Sequence, residues 1–132
     1  MAGSVYKIAE GNKEIVVVEY SGCKEAEMIV TAAEAKRVIV EGGKKIFLLS
    51  IYGPGSRATP GFMDYLRKET TDVLPFLDKQ AVVGLDPVKK LILKGYNFLV
   101  KRNIRAFDTR EEAITFLLNE HTTDRDVPDY LK

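Results

Sequence analysis

The strongest signal along the chain is a change in hydrophobic period. Ile15, Val16, Val17 and Val18 form a continuous β-branched run closed by Glu19 and Tyr20, the pattern of a strand inside a sheet and covered on both faces. Ahead of it, Val5, Tyr6, Ile8 and Ala9 predict a short first strand, and Gly11-Asn12 supplies turn chemistry. The two runs therefore read as an antiparallel hairpin. Over residues 24–41 the period turns helical, with Met28, Ala32, Ala35 and Ile39 at spacings of four, three and four. Ser21 and Cys23 are both candidate caps for that helix, and Gly42-Gly43 provides a left-handed stop.

Residues 45–52 predict a third, buried strand, with Ile46, Phe47, Leu48 and Leu49 at its centre. A loop of Gly, Pro, Ser, Arg and Thr follows, and Thr59-Pro60 reads as a cap with proline in the first turn of a helix. Phe62, Met63, Leu66, Val73, Leu74 and Leu77 give that region an apolar face. Pro75 predicts a kink or two consecutive helical pieces, with Asp72 capping the second. Residues 80–84 predict a short buried strand. Asp86-Pro87 opens a third helix carrying Leu91, Leu93, Tyr96 and Phe98, and Asn103 is placed to end it. Ile104, Ala106 and Phe107 predict a last strand near the sheet edge. Asp108 to Glu111 then has the spacing of a capping box before a final helix with Ala113, Ile114, Phe116 and Leu117.

Strand–helix alternation of this kind requires crossovers, so the later strands are expected to be parallel. The expected fold is α/β: a mixed, mainly parallel sheet of about five strands with about four helices. Residues 1–121 are expected to form one domain and residues 122–132 a polar tail containing Pro128.

Composition narrows the function classes. A formal net charge of +1 gives no long-range pull toward nucleic acid, and no apolar run approaches the ~20 residues of a membrane span. The opening residues lack a basic segment followed by an apolar one, so a cytoplasmic protein is expected. Cys23 is the only cysteine and His121 the only histidine, too few for a zinc set or a hydrolase triad. Lys89, Lys90, Lys94, Lys101, Arg102 and Arg105 form a basic cluster. Without an accompanying aromatic ladder it reads as a solvated helix face rather than a nucleic-acid surface.

The element order, the paired first strands, the segment from Ile46 to Phe62, the short strand Ala81-Val82-Val83-Gly84 and the ending Phe107-Asp108-Thr109-Arg110 resemble the STAS fold. Within it they resemble most the SpoIIAA-like, or STAS/SEC14-like, group of small bacterial and archaeal proteins. In phosphoregulated STAS proteins a helix opens with Asp-Ser-Ser-Gly or a Thr variant, and the second hydroxyl accepts phosphate. The comparable stretch here is Ala58-Thr59-Pro60-Gly61, with alanine at the aspartate position and proline, which has no hydroxyl, at the acceptor. The resemblance thus implies the fold without its usual phosphoswitch, and it selects neither Ser56 nor Thr59 as a modified residue.

The loop over residues 53–61 is the expected working edge. Backbone N–H groups, a helix dipole, hydroxyls and Arg57 could converge on an anion there, although no Gly-Lys-Ser/Thr follows to make a nucleoside triphosphate loop. The expectation is a non-enzymatic module, without a cofactor, that binds a protein partner or a small anionic or apolar ligand through Gly53, Gly55, Ser56, Arg57, Thr59 and Gly61. The alternative is a phosphoacceptor or Mg²⁺-dependent phosphoryl-transfer protein using the same loop with Glu19, Asp86 and Asp108. Phe62, Met63, Tyr65, Tyr96 and Phe98 read as core more simply than as a lipid pocket. The sequence leaves homodimerisation open.

Overall fold

Ile15, Val16, Val17 and Val18 are all 0–1% exposed, and the sheet is built outward from them. A computed structural model describes residues 3–10, 13–53, 59–102 and 104–119. It contains β1 (Ser4–Glu10), β2 (Lys13–Glu19), α1 (Glu25–Gly42), β3 (Ile46–Ile51), α2 (Pro60–Glu69), a 3-10 segment (Thr71–Phe76), β4 (Leu77–Val83), α3 (Pro87–Val100), β5 (Arg105–Phe107) and α4 (Arg110–Leu118). The five strands lie in chain order, β1-β2-β3-β4-β5. β1 is antiparallel to β2, with Val5 opposite Val18 and Ile8 opposite Ile15, and the other three pairings are parallel.

Alternation along β2 divides the core between two faces. Val16 and Val18 pack with Met28, Ala32, Ala35 and Ile39 of α1, Phe62 of α2 and Val82 of β4. Ile15 and Val17 pack with Phe47, Leu49 and the α4 residues Ala113, Phe116 and Leu117. Three crossover helices thus share one face, and α4 covers the other.

Several boundaries depart from the sequence reading, each for a local reason. The N-cap of α1 is Lys24, and the Glu27 carboxylate accepts its backbone N–H at 3.1 Å; Cys23 is wholly buried instead. The second helical piece after α2 is 3-10 and starts at Thr71, so Asp72 lies within it and pairs with Lys36 at 3.2 Å. Strand β4 begins at Leu77, three residues earlier than the apolar pattern suggests. The polar residue that hid this is Lys79, only 3% exposed. Its ammonium donates to the Phe116 carbonyl at 2.9 Å and to that of Asn119, and lies 5.0 Å from the Phe116 ring centroid. A cation at the end of α4 meets carbonyls that the helix cannot bond.

Helix α3 ends on Lys101 in the left-handed region, φ 56°; Asn103, expected to end it, lies outside the described residues, as does the Gly11-Asn12 turn. The cap of α4 is Thr109, which accepts from the Glu112 N–H at 3.2 Å, one residue beyond the Asp108 frame. Both registers of the sequence satisfy the Thr/Asp-x-x-Glu spacing, and Asp108 instead pairs with Lys90 at 3.5 Å.

Candidate functional site: a loop rim and an apolar cavity

The C-terminal end of β3 leads into the predicted working loop. Of its residues Gly53, Thr59 and Gly61 are described, while Gly55, Ser56 and Arg57 lie outside the described residues. Thr59 is the N-cap of α2: its hydroxyl accepts from the Phe62 N–H at 3.2 Å and donates to the carboxylate of Glu25 in the first turn of α1. A Cβ on Gly61 would lie 2.3 Å from that same Glu25 carboxylate. Glu25 therefore sits where an external anion would meet the positive end of the α2 dipole, and Gly61 makes room for it. Gly53 allows an equally close approach, since a Cβ there would lie 2.1 Å from the Ser21 hydroxyl. Replacing Thr59 with Ala removes the cap and is expected to lower stability by about 1 kcal/mol, measured by denaturant melts, without altering binding in the cavity described next.

Beneath the rim stands an aromatic trio. The Tyr20 and Tyr52 rings stack at 4.9 Å, and Phe62 meets them edge-on at 5.4 and 6.3 Å. Tyr20 and Tyr52 continue the sheet beyond the strands, donating their N–H groups to Ile51 and Val83 carbonyls at 2.8 Å. Burial pushes both phenols well above the ordinary tyrosine range, so they remain neutral hydroxyls at physiological pH.

From this trio a cavity of about 130 Å³ runs between the sheet and the crossover helices. Its floor is Val18, Leu48 and Val82; Ala32 and Ala35 of α1 form one wall, Met63 and Leu66 of α2 another, and Leu93 and Tyr96 of α3 the roof. The space exists because α1 turns two alanines toward strands whose larger side chains cannot span the gap. Polar side chains in the lining are Ser50, Thr70, Gln80, Lys36 and Lys89, with the tyrosines Tyr20, Tyr52 and Tyr96. Lys36 donates to the Glu69 carbonyl at 2.8 Å, and Lys89 lies 3.8 Å from Asp86. Of the aromatics read as core, Met63's neighbour Phe62 belongs to the trio, Tyr96 lines the cavity, and Phe98 is 60% exposed on the outer face of α3. The signal that could have revealed the cavity is the alanine pair on the inward stripe of α1.

The three carboxylates expected near one sheet end have separate tasks. Glu19 accepts from the Tyr6 hydroxyl at 3.4 Å, Asp86 caps α3 by accepting the Lys89 N–H at 2.8 Å, and Asp108 pairs with Lys90. Among the described residues no three His, Cys, Asp or Glu side chains come together in a way that could hold a metal. Burial raises the Cys23 thiol above its ordinary range, keeping it protonated. The basic cluster is also divided, because Arg102 turns inward and donates to the Leu77 carbonyl at 2.8 Å. Among the described residues no helix is long and apolar enough to cross a membrane.

Fold and site together define an α/β domain whose mixed five-stranded sheet carries an apolar cavity on its three-helix face. No protein-family model, curated protein or solved structure matches the chain.

Proposed function

We propose that this protein is a STAS-like, non-enzymatic binding module whose ligand is a small, mainly apolar molecule held in the cavity between the sheet and helices α1, α2 and α3. The observation that carries this reading is the cavity itself, about 130 Å³ and walled mostly by aliphatic side chains. An apolar cavity near 150 Å³ takes a guest the size of benzene, so the ligand has on the order of six to ten non-hydrogen atoms. Ser50, Gln80, Lys36 and Lys89 supply polar contacts that would orient a hydroxyl, carbonyl or carboxylate on an otherwise apolar guest. Binding here is preferred to phosphoryl transfer because Asp86 and Asp108 already serve as a helix cap and an ion-pair partner.

Thermal-shift titration with short-chain fatty acids, small aromatic acids, phosphorylated metabolites, nucleotides and Mg²⁺ tests the reading. A saturating apolar ligand at about 100 times its Kd is expected to stabilise the fold by about 2.7 kcal/mol. Ala35→Leu, which projects into the cavity, is expected to abolish that shift while raising the stability of the free protein by about 0.5–2 kcal/mol. An apolar ligand that shifts Ala35→Leu as much as the native chain would remove the cavity as its site. Shifts by Mg²⁺ or nucleotide alone would favour the phosphoryl-transfer alternative.

A further inference from the structure

Helix α3 is apolar on two faces. Leu93 and Tyr96 face the cavity and Ile92, 41% exposed, reaches its edge, yet Val88, Leu91, Phe98 and Leu99 are 60–70% exposed. At 3.6 residues per turn these outer residues share one stripe roughly 120° wide, and Gly95 lies along its midline. A helix with apolar inner and outer faces is built to be covered on both.

Gly95 is not required by the fold itself. A Cβ there would meet nothing within 4 Å, and its backbone is not in the positive-φ region, although glycine is a poor residue for a helix interior. What glycine does provide is a place where another helix can come close. The stripe is also symmetric about that point, with Ile92 and Phe98 three residues to either side and Leu91 and Leu99 four. A two-fold axis beside Gly95, running between the helices and perpendicular to them, sets Leu91 in one layer with Leu99 of a second copy, while Ile92 and Phe98 flank the seam on opposite sides. Such self-complementarity is the requirement of an isologous interface.

We infer that the outer face of α3 is a homodimer interface, two copies packing antiparallel across a two-fold axis at Gly95. The five exposed side chains offer on the order of 500–600 Å² per copy, close to the roughly 600 Å² per partner at the lower limit of stable interfaces. Lys90, Lys94 and Lys101 follow one edge of the helix, outside the stripe. The same axis brings those edges to one side of the pair, where three lysines per copy, one of them paired with Asp108, leave an excess of positive charge facing its copy. Salt is therefore expected to strengthen the dimer, whereas it would weaken docking of an acidic partner or an anionic bilayer. Neither of those occupants gives Gly95 or the symmetry of the stripe a role.

Sedimentation velocity of the full chain over a dilution series, at low and raised salt, tests this. The native chain should show a monomer–dimer equilibrium that shifts toward dimer with salt. Gly95→Leu, which wedges the helices apart, and Leu91→Glu, which places charge in the seam, should each weaken dimerisation by at least about thirtyfold. Circular dichroism melts at dilutions where the native chain is monomeric should show Leu91→Glu close to it and Gly95→Leu at or above it, because Leu91 is 68% exposed, a Cβ on Gly95 meets nothing within 4 Å, and leucine suits a helix interior better than glycine. A native chain that stays monomeric throughout, a dimer that survives both substitutions, or a monomer that binds phosphatidylserine vesicles through α3 would each overturn the assignment.

Discussion

Gly84→Ala is expected to destabilise the protein by about 4 kcal/mol or more, the size reserved for strain at a special backbone position combined with a steric clash. Gly84 follows β4 with φ +92°, beyond the left-handed region that even asparagine visits. A Cβ there would lie 1.8 Å from the Tyr52 carbonyl oxygen, a backbone atom that cannot rotate away. That carbonyl belongs to the residue whose N–H bonds Val83 at 2.8 Å, while the Gly84 N–H reaches the Phe107 carbonyl at 3.4 Å. The substitution would force apart the C-terminal ends of β3, β4 and β5 together. Tyr52 and its stack with Tyr20 would move with them, and so would the inner end of the cavity. In a domain of this size a 4 kcal/mol loss corresponds to a fall in Tm of about 10–20 °C, readable by calorimetry. Gly42→Ala is the matched control: a Cβ at Gly42 meets nothing within 4 Å and the residue lies within α1, so its Tm should hold or rise. Equal melting temperatures for the two variants would show that the ends of β3 and β4 can separate freely.

The features legible from the sequence are those fixed by local period and local chemistry. The continuous run from Ile15 to Val18 marked the central strand, and all four residues are buried. Thr59-Pro60 and Asp86-Pro87 marked helix starts, because a capping oxygen followed by proline has few other uses; both caps form. Features set by tertiary partners were not legible. Lys79 looks like a strand breaker until the carbonyls at the end of α4 supply its ammonium with acceptors. The register of the α4 cap is ambiguous because Asp108 and Thr109 each have a glutamate three residues on, and Lys90 draws Asp108 away. Glu25 cannot be linked to the loop from spacing, since 34 residues separate it from Thr59. A cavity is a volume left over after packing. The inward alanines at 32 and 35 hint at it, but only the positions of α2 and α3 decide whether neighbours fill the space. For that reason the loop read as the working edge carries no sign, in its own residues, of the space between the sheet and α1, α2 and α3.

Asn97→Leu should cost about 2–6 kcal/mol and act first on the roof of the cavity. Asn97 lies on the inner side of α3, 3% exposed. Its amide donates to the Ile104 carbonyl at 2.9 Å, and its oxygen accepts the Ile104 N–H at 3.0 Å. Ile104 precedes β5, and the asparagine gives its backbone the paired donor and acceptor that a neighbouring strand would otherwise provide. The Asn97 carbonyl also accepts the Arg102 N–H at 3.1 Å, closing the turn in which Lys101 is left-handed. Leucine has a similar volume but leaves two buried backbone groups unpaired, each costing about 1–3 kcal/mol. The cavity lies between α3 and the sheet, so little other packing can hold the helix once this link is cut. Hydrogen exchange should therefore rise first across α3 and β5, while the amides of β2 and β3 stay protected to the global limit. Asn97→Asp separates hydrogen bonding from shape. Its ionised carboxylate keeps the Ile104 N–H but faces the Ile104 carbonyl, and it regains a donor only when protonated. Burial beside that carbonyl raises the folded-state pKa of the introduced carboxyl above its unfolded value of about 3.9. The deficit is then complete above the folded pKa and shrinks as pH falls through it toward the unfolded one. A uniform rise in exchange over all strands, or a deficit in Asn97→Asp that does not shrink on acidification, would mean that α3 is held by something other than this amide.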